Sequence, residues 1–299
     1  MKKNILITGG SGFIGQNFKE HFPSKYTIYS PTHQDLELTE EKQVEGFFKK
    51  NKIDAVIHCA NIGGTRNTTQ LNDIVPINLR MFLNLLRCKR YYKKLIFLGS
   101  GAEYNKNQPL VKVKETDFDK SVPVDDYGFY KYVCSRFIER EKNIVNLRLF
   151  GLYGKHEDYL LRFISNAIVK NLLLLPIDIN QNVYFDYLYI NDLIRIIDYF
   201  INHETKYNIY NVSSGLKIDL ITIARKINAI SPFQSKFIIR KQGLNNEYTA
   251  SNTRLTREMK DFKFTSIEEG ISDLYKWYGK RLDLIDRKKI ISQMVAENA

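Results

Sequence analysis

Hydrophobic positions along the chain follow two periods, and the changes between them mark the elements. Ile5-Leu6-Ile7 is a continuous apolar run, the mark of a strand buried on both faces. It breaks into glycine, and Phe13-Ile14-Gly15-Gln16-Asn17-Phe18 continues at helical spacing. Tyr26 to Tyr29 predicts a second short strand. Thr39 is placed to cap a helix with Glu40 and Glu41 in its first turn, running to about Asn51. Asp54 to Asn61 predicts the next strand and its end. Asn72 to Tyr92 predicts a long amphipathic helix with Ile77, Met81, Leu85 and Cys88 on its apolar face. Leu95 to Ser100 and Asn143 to Leu149 read as strands on either side of a helix from Tyr127 to Lys142. A helix over roughly Tyr159 to Asn171 follows, then a strand at Phe185 turning into a capped helix at Asp192, and a strand from Tyr207 to Val212. Lys217 to Ile230 predicts a helix, Phe237 to Ile239 a short strand and Ser266 to Lys280 a helix. Leu282 to Ala299 predicts a charged amphipathic tail on the surface. Strands alternating with helices predict an α/β fold with a doubly wound parallel sheet. Ligands of such sheets lie beyond the strand C-termini, so Gly9, Ala60 and Ser100, which each follow a strand, should gather along one edge.

The 299 residues are 43% hydrophobic and 26% charged, ordinary for a soluble enzyme with a large core. Cys59, Cys88 and Cys134 are far apart and show no metal spacing, which suits a reducing cytoplasm. No signal-like segment precedes the first strand and no apolar run reaches membrane-spanning length, so neither export nor a membrane is expected. The net charge of +12 is spread along the chain rather than massed in one arm. That argues against nucleic acid as a partner and reads as a solvated basic surface, whose field also helps capture an anionic substrate.

The first turn carries the clearest chemistry. Gly9, Gly12 and Gly15 give a G-x-x-G-x-x-G spacing on a strand-to-helix junction. Glycine there permits the sharp turn, close approach to a pyrophosphate and tight helix–strand packing, while the helix N-terminus favours phosphate. At the end of the second strand, Ser30-Pro31-Thr32-His33-Gln34 carries no acid to hold ribose hydroxyls; Asp35 and Glu37 come later. The missing acid favours NADP(H), with Thr32 or His33 near the extra phosphate, and leaves NAD(H) as the alternative. His58, on a strand before small residues, reads as structural. Tyr127 and Lys131 stand four apart on a predicted helix and share a face. A nearby ammonium favours phenolate and makes the tyrosine a better proton donor or acceptor near neutrality.

Together, Thr8-Gly9-Gly10-Ser11-Gly12-Phe13-Ile14-Gly15, Ser100, Tyr127 with Lys131, Phe185 to Asp192 and Tyr210-Asn211-Val212 resemble the extended short-chain dehydrogenase/reductase family (the NAD-dependent epimerase/dehydratases) acting on nucleotide sugars. The resemblance implies a Rossmann domain from 1–158 and 183–213, a smaller C-terminal substrate lobe from 159–182 and 214–280, a helical tail at 281–299, and a homodimer through the helices at 72–92 and 127–142. It implies cofactor contacts at Gly9, Ser11, Gly12, Phe13, Ile14, Gly15, His33, Leu36, Ala60, Asn61, Asn78 and Lys131. Substrate contacts are implied at Ser100, Gly101, Ala102, Tyr127 and Arg162. Asn61-Ile62-Gly63-Gly64, Asp35-Leu36-Glu37-Leu38 and Phe97-Leu98-Gly99-Ser100 resemble the GDP-fucose synthase branch, which implies hydride transfer from NADPH to C4 of a 4-keto sugar. Ser100 would then bond the C4 oxygen, Tyr127 protonate it, and Lys131 hold the nicotinamide ribose and tune Tyr127.

The departures from that branch narrow the chemistry. Ala102 stands where its cysteine base stands, and Arg162 falls near the place of its histidine, with His156 and Glu157 close by in sequence. Without that pair the expectation is reduction without epimerisation at C3 and C5. The family's dehydratases carry Asp-Glu directly after the Ser/Thr; here Gly101-Ala102 stands there and Glu103 is one residue further, so its side chain should point elsewhere. The family's usual Arg and Asn are replaced by Phe185 and Gly151. An NAD-dependent 4-epimerase and a non-catalytic dinucleotide-binding regulator are the remaining alternatives. A product for bacterial surface polysaccharide is the expected context.

Overall fold

The apolar run near the N-terminus becomes the middle of the main sheet. The computed structural model describes residues 2–64 and 72–298. In chain order the first strands are β1 (Asn4–Thr8), β2 (Thr27–Tyr29), β3 (Ala55–His58), β4 (Lys94–Ser100), β5 (Leu110–Val113), β6 (Ile144–Leu149) and β7 (Gly151–Tyr153). The rest are β8 (Ile177–Asn182), β9 (Tyr184–Tyr189), β10 (Ile209–Val212), β11 (Lys217–Asp219), β12 (Phe237–Leu244) and β13 (Tyr248–Ala250). The helices are α1 (Phe13–His21), α2 (Glu41–Lys50), α3 (Ile74–Arg87), α4 (Asp126–Ile138) and α5 (Phe163–Leu172). They continue as α6 (Ile190–Asn202), α7 (Leu220–Ile230), α8 (Thr253–Glu258), α9 (Ile267–Gly279) and α10 (Arg287–Asn298).

The main sheet has the order β10-β6-β4-β3-β1-β2, with all its pairings parallel. Successive side chains of a strand point to opposite faces, and here both faces are covered. Ile5 and Ile7 pack with Phe18 of α1 and Leu193 and Ile197 of α6. Leu6 packs on the other face with Phe48 of α2, Phe82 of α3 and Ile138 of α4. A second sheet, β11-β9-β13-β5 with β7 beside β9, lies beyond the edge where the main strands end, and β8 pairs with β12. β5, β7 and β9, which the sequence bounds count with the dinucleotide-binding part, therefore pair with β11 and β13 of the lobe. Met1, 65–71 and 299, which those bounds include, lie outside the described residues. No described helix is long and apolar enough to cross a membrane.

Several element boundaries differ from expectation for local reasons. Thr39 does not cap α2: its amide and hydroxyl both donate to the Glu37 carboxylate, and Glu40 takes the cap position without a side-chain bond. The helix expected from Asn72 runs from Ile74 and stops at Arg87, followed by a 3-10 turn over Lys89–Tyr91. The helix expected from Tyr159 starts at Phe163, because the Asp158 carbonyl and carboxylate hold 160–162 in a turn. Lys217–Asp219 is a strand antiparallel to β9, since Asp219 accepts the Thr222 amide and so fixes the start of α7 at Leu220. α6 has no side-chain cap; Asp192 instead accepts from Thr265 and Arg195. The short strand at Phe237 extends to Leu244 because β8 pairs along it. The tail docks on its own chain through buried Ile285 and Ile290.

Candidate functional site

Ser100 ends β4 and caps a 3-10 turn over Gly101–Tyr104. The sequence Ser100-Gly101-Ala102-Glu103 forms a reciprocal capping box: the Ala102 amide donates to Ser100 Oγ at 3.1 Å, and the Ser100 amide donates to Glu103 Oε1 at 2.9 Å. Glu103 is wholly buried, and its other oxygen accepts from Ser135 Oγ and from Arg148 Nε, each at 2.5 Å. Arg148 is also wholly buried. Its guanidinium donates to the Tyr104 hydroxyl at 2.9 Å, which donates in turn to Asn211 Oδ1 at 2.7 Å. Burial opposes charge on Arg148, but Glu103 and Tyr104 outweigh it and raise its pKa. Ser100 is thus held from behind by an ion pair linking β4, β6, α4 and β10. Glu103 points into that network, away from the crevice.

α4 presents the other two expected catalytic groups. Asp125 caps it by accepting the Gly128 amide at 3.0 Å. Lys131, one turn along, is buried, donates to the Leu98 carbonyl, and has its ammonium 5.8 Å from the Tyr127 ring centre. Burial pulls the Lys131 pKa down to about 8. Burial pushes the Tyr127 phenol up, opposed by a side-chain hydrogen bond with Ser100 and by the Arg162 cation. The three predicted groups therefore stand together, and Arg162, exposed at the start of α5, lies within their electrostatic reach. Gly64, at φ +86°, lies against the Tyr127 ring: a Cβ there would come within 2.5 Å of Tyr127 Cε2. No motif points to one further group. Tyr248 of β13 brings its hydroxyl beside Ser100, where a side-chain hydrogen bond joins them. The strand is three residues long, too short to carry a periodic signal.

The crevice beyond β1 has the form that a dinucleotide requires. Gly9 has φ +67°, and a Cβ on it would sit 2.7 Å from the Ala60 amide nitrogen, so only glycine fits. Gly12 caps α1 with backbone alone and Gly15 packs on Gly10, while Phe13 and Ile14 form the first turn. That turn carries no acid, leaving the positive helix end open to phosphate. Ser11, Asn61 and His33 are exposed, and His33 pairs with Glu37 at 2.9 Å. Two expected cofactor residues have other duties. Leu36 is core, 4% exposed. Asn78 has both ends of its amide on backbone, accepting from the Ile62 amide and donating to the Ile62 and Ile74 carbonyls, and so shapes the 60–64 loop from behind. Gly101 and Ala102 are buried behind Ser100.

The remaining ionisable residues sort by their partners. His58 bonds Thr8 Oγ1 at 2.8 Å, and burial pulls it down to about 3, so it is a neutral structural histidine. His156 is bonded to Glu20 at 2.6 Å and packs edge-on against Trp277. Glu157 is buried and accepts the Ser165 hydroxyl at 2.6 Å; burial raises it to about 8. No cluster of metal-ligating side chains occurs among the described residues.

Residues 5–213 match the family model described as the NAD dependent epimerase/dehydratase family. GDP-L-colitose synthase of Yersinia pseudotuberculosis is 26% identical over 72% of this chain and 77% of its own. A probable GDP-L-fucose synthase 1 of Oryza sativa subsp. japonica is 23% identical over 92% and 91%. Among solved structures, a GDP-mannoheptose C4 reductase from Campylobacter jejuni with NADP bound superposes at TM-score 0.79, with 20% identity over 93% of this chain and 98% of that one.

Two outcomes are expected from this wiring. Arg148→Met leaves Glu103 buried and unpaired, and should cost about 3–5 kcal/mol in urea unfolding. Glu157 has a folded pKa raised to about 8 from an ordinary 4.5, so between those values the folded state binds more protons than the unfolded chain. Stability should therefore fall as pH rises through that window. Glu157→Gln should flatten that slope in urea midpoints taken at pH 5 and pH 8.

Proposed function

The chain belongs to the NAD dependent epimerase/dehydratase family, and on that premise we propose that it is an NADPH-dependent C4 reductase of a nucleotide-diphosphate 4-keto sugar. The observation that carries this reading is the hydrogen bond between Ser100 and Tyr127 at the end of β4, with buried Lys131 one helical turn along. A dinucleotide-binding regulator needs neither hydroxyl. NADP(H) would lie along the Gly9–Gly15 turn and Ala60, with Lys131 at its nicotinamide ribose, and when bound supplies the hydride. Ser100 holds the C4 oxygen. Tyr127 gives that oxygen its proton as charge develops there. The Arg162 cation lies within reach of the same pocket and suits the substrate diphosphate.

Epimerisation at C3 or C5 needs a base beside the ketone. Ala102 supplies a buried methyl, His156 is occupied by Glu20, and Glu157 is occupied by Ser165. A 4,6-dehydratase is disfavoured by Glu103, whose carboxylate is committed to Arg148. The GDP-sugar names of the relatives and of the structural neighbour support a GDP-linked 6-deoxy hexose or heptose, made for a bacterial surface polysaccharide. Asp35 and Glu37, which engage Thr32 and His33 after β2, favour a second reading, an NAD-dependent 4-epimerase.

NADPH and NADH oxidation against GDP-, dTDP- and UDP-linked 4-keto sugars tests the reading. Turnover of a GDP-linked 4-keto sugar with NADPH is expected, and Tyr127→Phe should lower kcat by about 100-fold or more. Retention of most turnover in Tyr127→Phe would remove the acid role. No oxidation at all, with NAD retained through purification, would favour the epimerase.

A further inference from the structure

The Ser100 hydroxyl has one proton to give and two lone pairs to fill. One lone pair takes the Ala102 amide at 3.1 Å. Two phenols, Tyr127 and Tyr248, then share what remains. Tyr127 comes from α4; Tyr248 comes from β13, between β5 and β9 of the second sheet. Its strand is pinned on both sides. The Leu110 amide donates to the Glu247 carbonyl at 2.7 Å, the Lys112 amide donates to Thr249 Oγ1 at 2.9 Å, and Glu247 accepts from Thr249 and Lys217. The ring is wedged against Phe150 and Phe185, with centroids 5.1 and 5.9 Å away. The hydroxyl lies so close over the turn that a Cβ on Gly101 would sit 2.5 Å from it. Tyr248 is thus a rigidly delivered donor, and burial raises its pKa, so it keeps its proton.

We propose that Tyr248 is a positioning residue for Ser100: its hydroxyl fills the second lone pair of the serine, so that Ser100 can only donate. This rests on the reductase reading above. A serine with a vacant lone pair could accept the Tyr127 proton, directing it away from the substrate. With Tyr248 in place, the serine proton faces Tyr127 and the C4 oxygen, and the Tyr127 proton is left for the substrate. The second sheet thereby takes part in setting the polarity of the proton-donating pair, as well as forming part of the lobe.

Steady-state kinetics of Tyr248→Phe, Ser100→Ala and the double variant test this. Tyr248→Phe keeps the ring against Phe150 and Phe185, and unchanged thermal unfolding checks that the fold is intact. The expected result is a kcat lowered about tenfold with KM within about twofold. In the Ser100→Ala background, Tyr248→Phe should add no further loss, because its effect passes through the serine. Independent losses that multiply in the double variant, or an unchanged kcat in Tyr248→Phe, would overturn the proposal. A readout free of turnover separates this from the reductase reading. In protein labelled with 3-fluorotyrosine, the Tyr248 fluorine signal, identified by its absence in Tyr248→Phe, should move in Ser100→Ala, and the Tyr127 signal should move in Tyr248→Phe. Immobile signals would overturn the positioning role. An inactive wild type with moving signals would overturn only the reductase reading.

Discussion

The buried ion pair between Glu103 and Arg148 is the constraint that the site depends on. Two wholly desolvated charges are tolerated only when each is hydrogen-bonded on every side, and here they are. The partners are drawn from β4, α4, β6 and β10, so the pair can form only when those elements stand in register. One of its bonds ends on the Ser100 amide. A serine at the tip of a strand would otherwise be free to fray; this one is tied into the core within a single hydrogen bond of the reacting groups.

The same arrangement explains how one carboxylate can stand so near a catalytic centre without taking part. Glu103 is three residues from Ser100 and points inward because the capping box turns it there. The crevice is left with hydroxyl groups on its catalytic side, Lys131 beneath and Arg162 at its rim. Hydroxyl donors with a buried cation suit an oxygen that gains charge and a proton. They do not suit removal of a carbon-bound proton, for which the nearby carboxylates and imidazoles are already engaged elsewhere.

Much of the fold was legible because it is written in contiguous pattern. The apolar runs at Ile5, Ala55 and Leu95 became central strands, and the glycine turn became the strand-to-helix junction. The misplaced boundaries come from single competing bonds. Thr39 had the right residue type for a cap, but Glu37 offered its hydroxyl a partner two residues away. Asp219 capped α7 three residues later than the apolar pattern suggested. Within the site, Ser100, Tyr127 and Lys131 were readable because strand end and helix spacing are local properties. Asn78 was misassigned because its duty, clamping Ile62, is tertiary. Tyr248 was silent for the same reason: it lies 148 positions from the serine it bonds, on a strand of three residues.

Reduction at C4 that leaves the neighbouring carbons untouched is the central claim, and isotope placement tests it most directly. A 4-keto sugar nucleotide is turned over with unlabelled NADPH in deuterium oxide, beside an enzyme-free control for spontaneous exchange, and the product is read by NMR. The account predicts protium at C4, delivered from the cofactor, and no enzyme-dependent deuterium at C3 or C5. Deuterium entering either carbon only when the enzyme is present would contradict it, and would mean that a base works in the pocket beside Ala102.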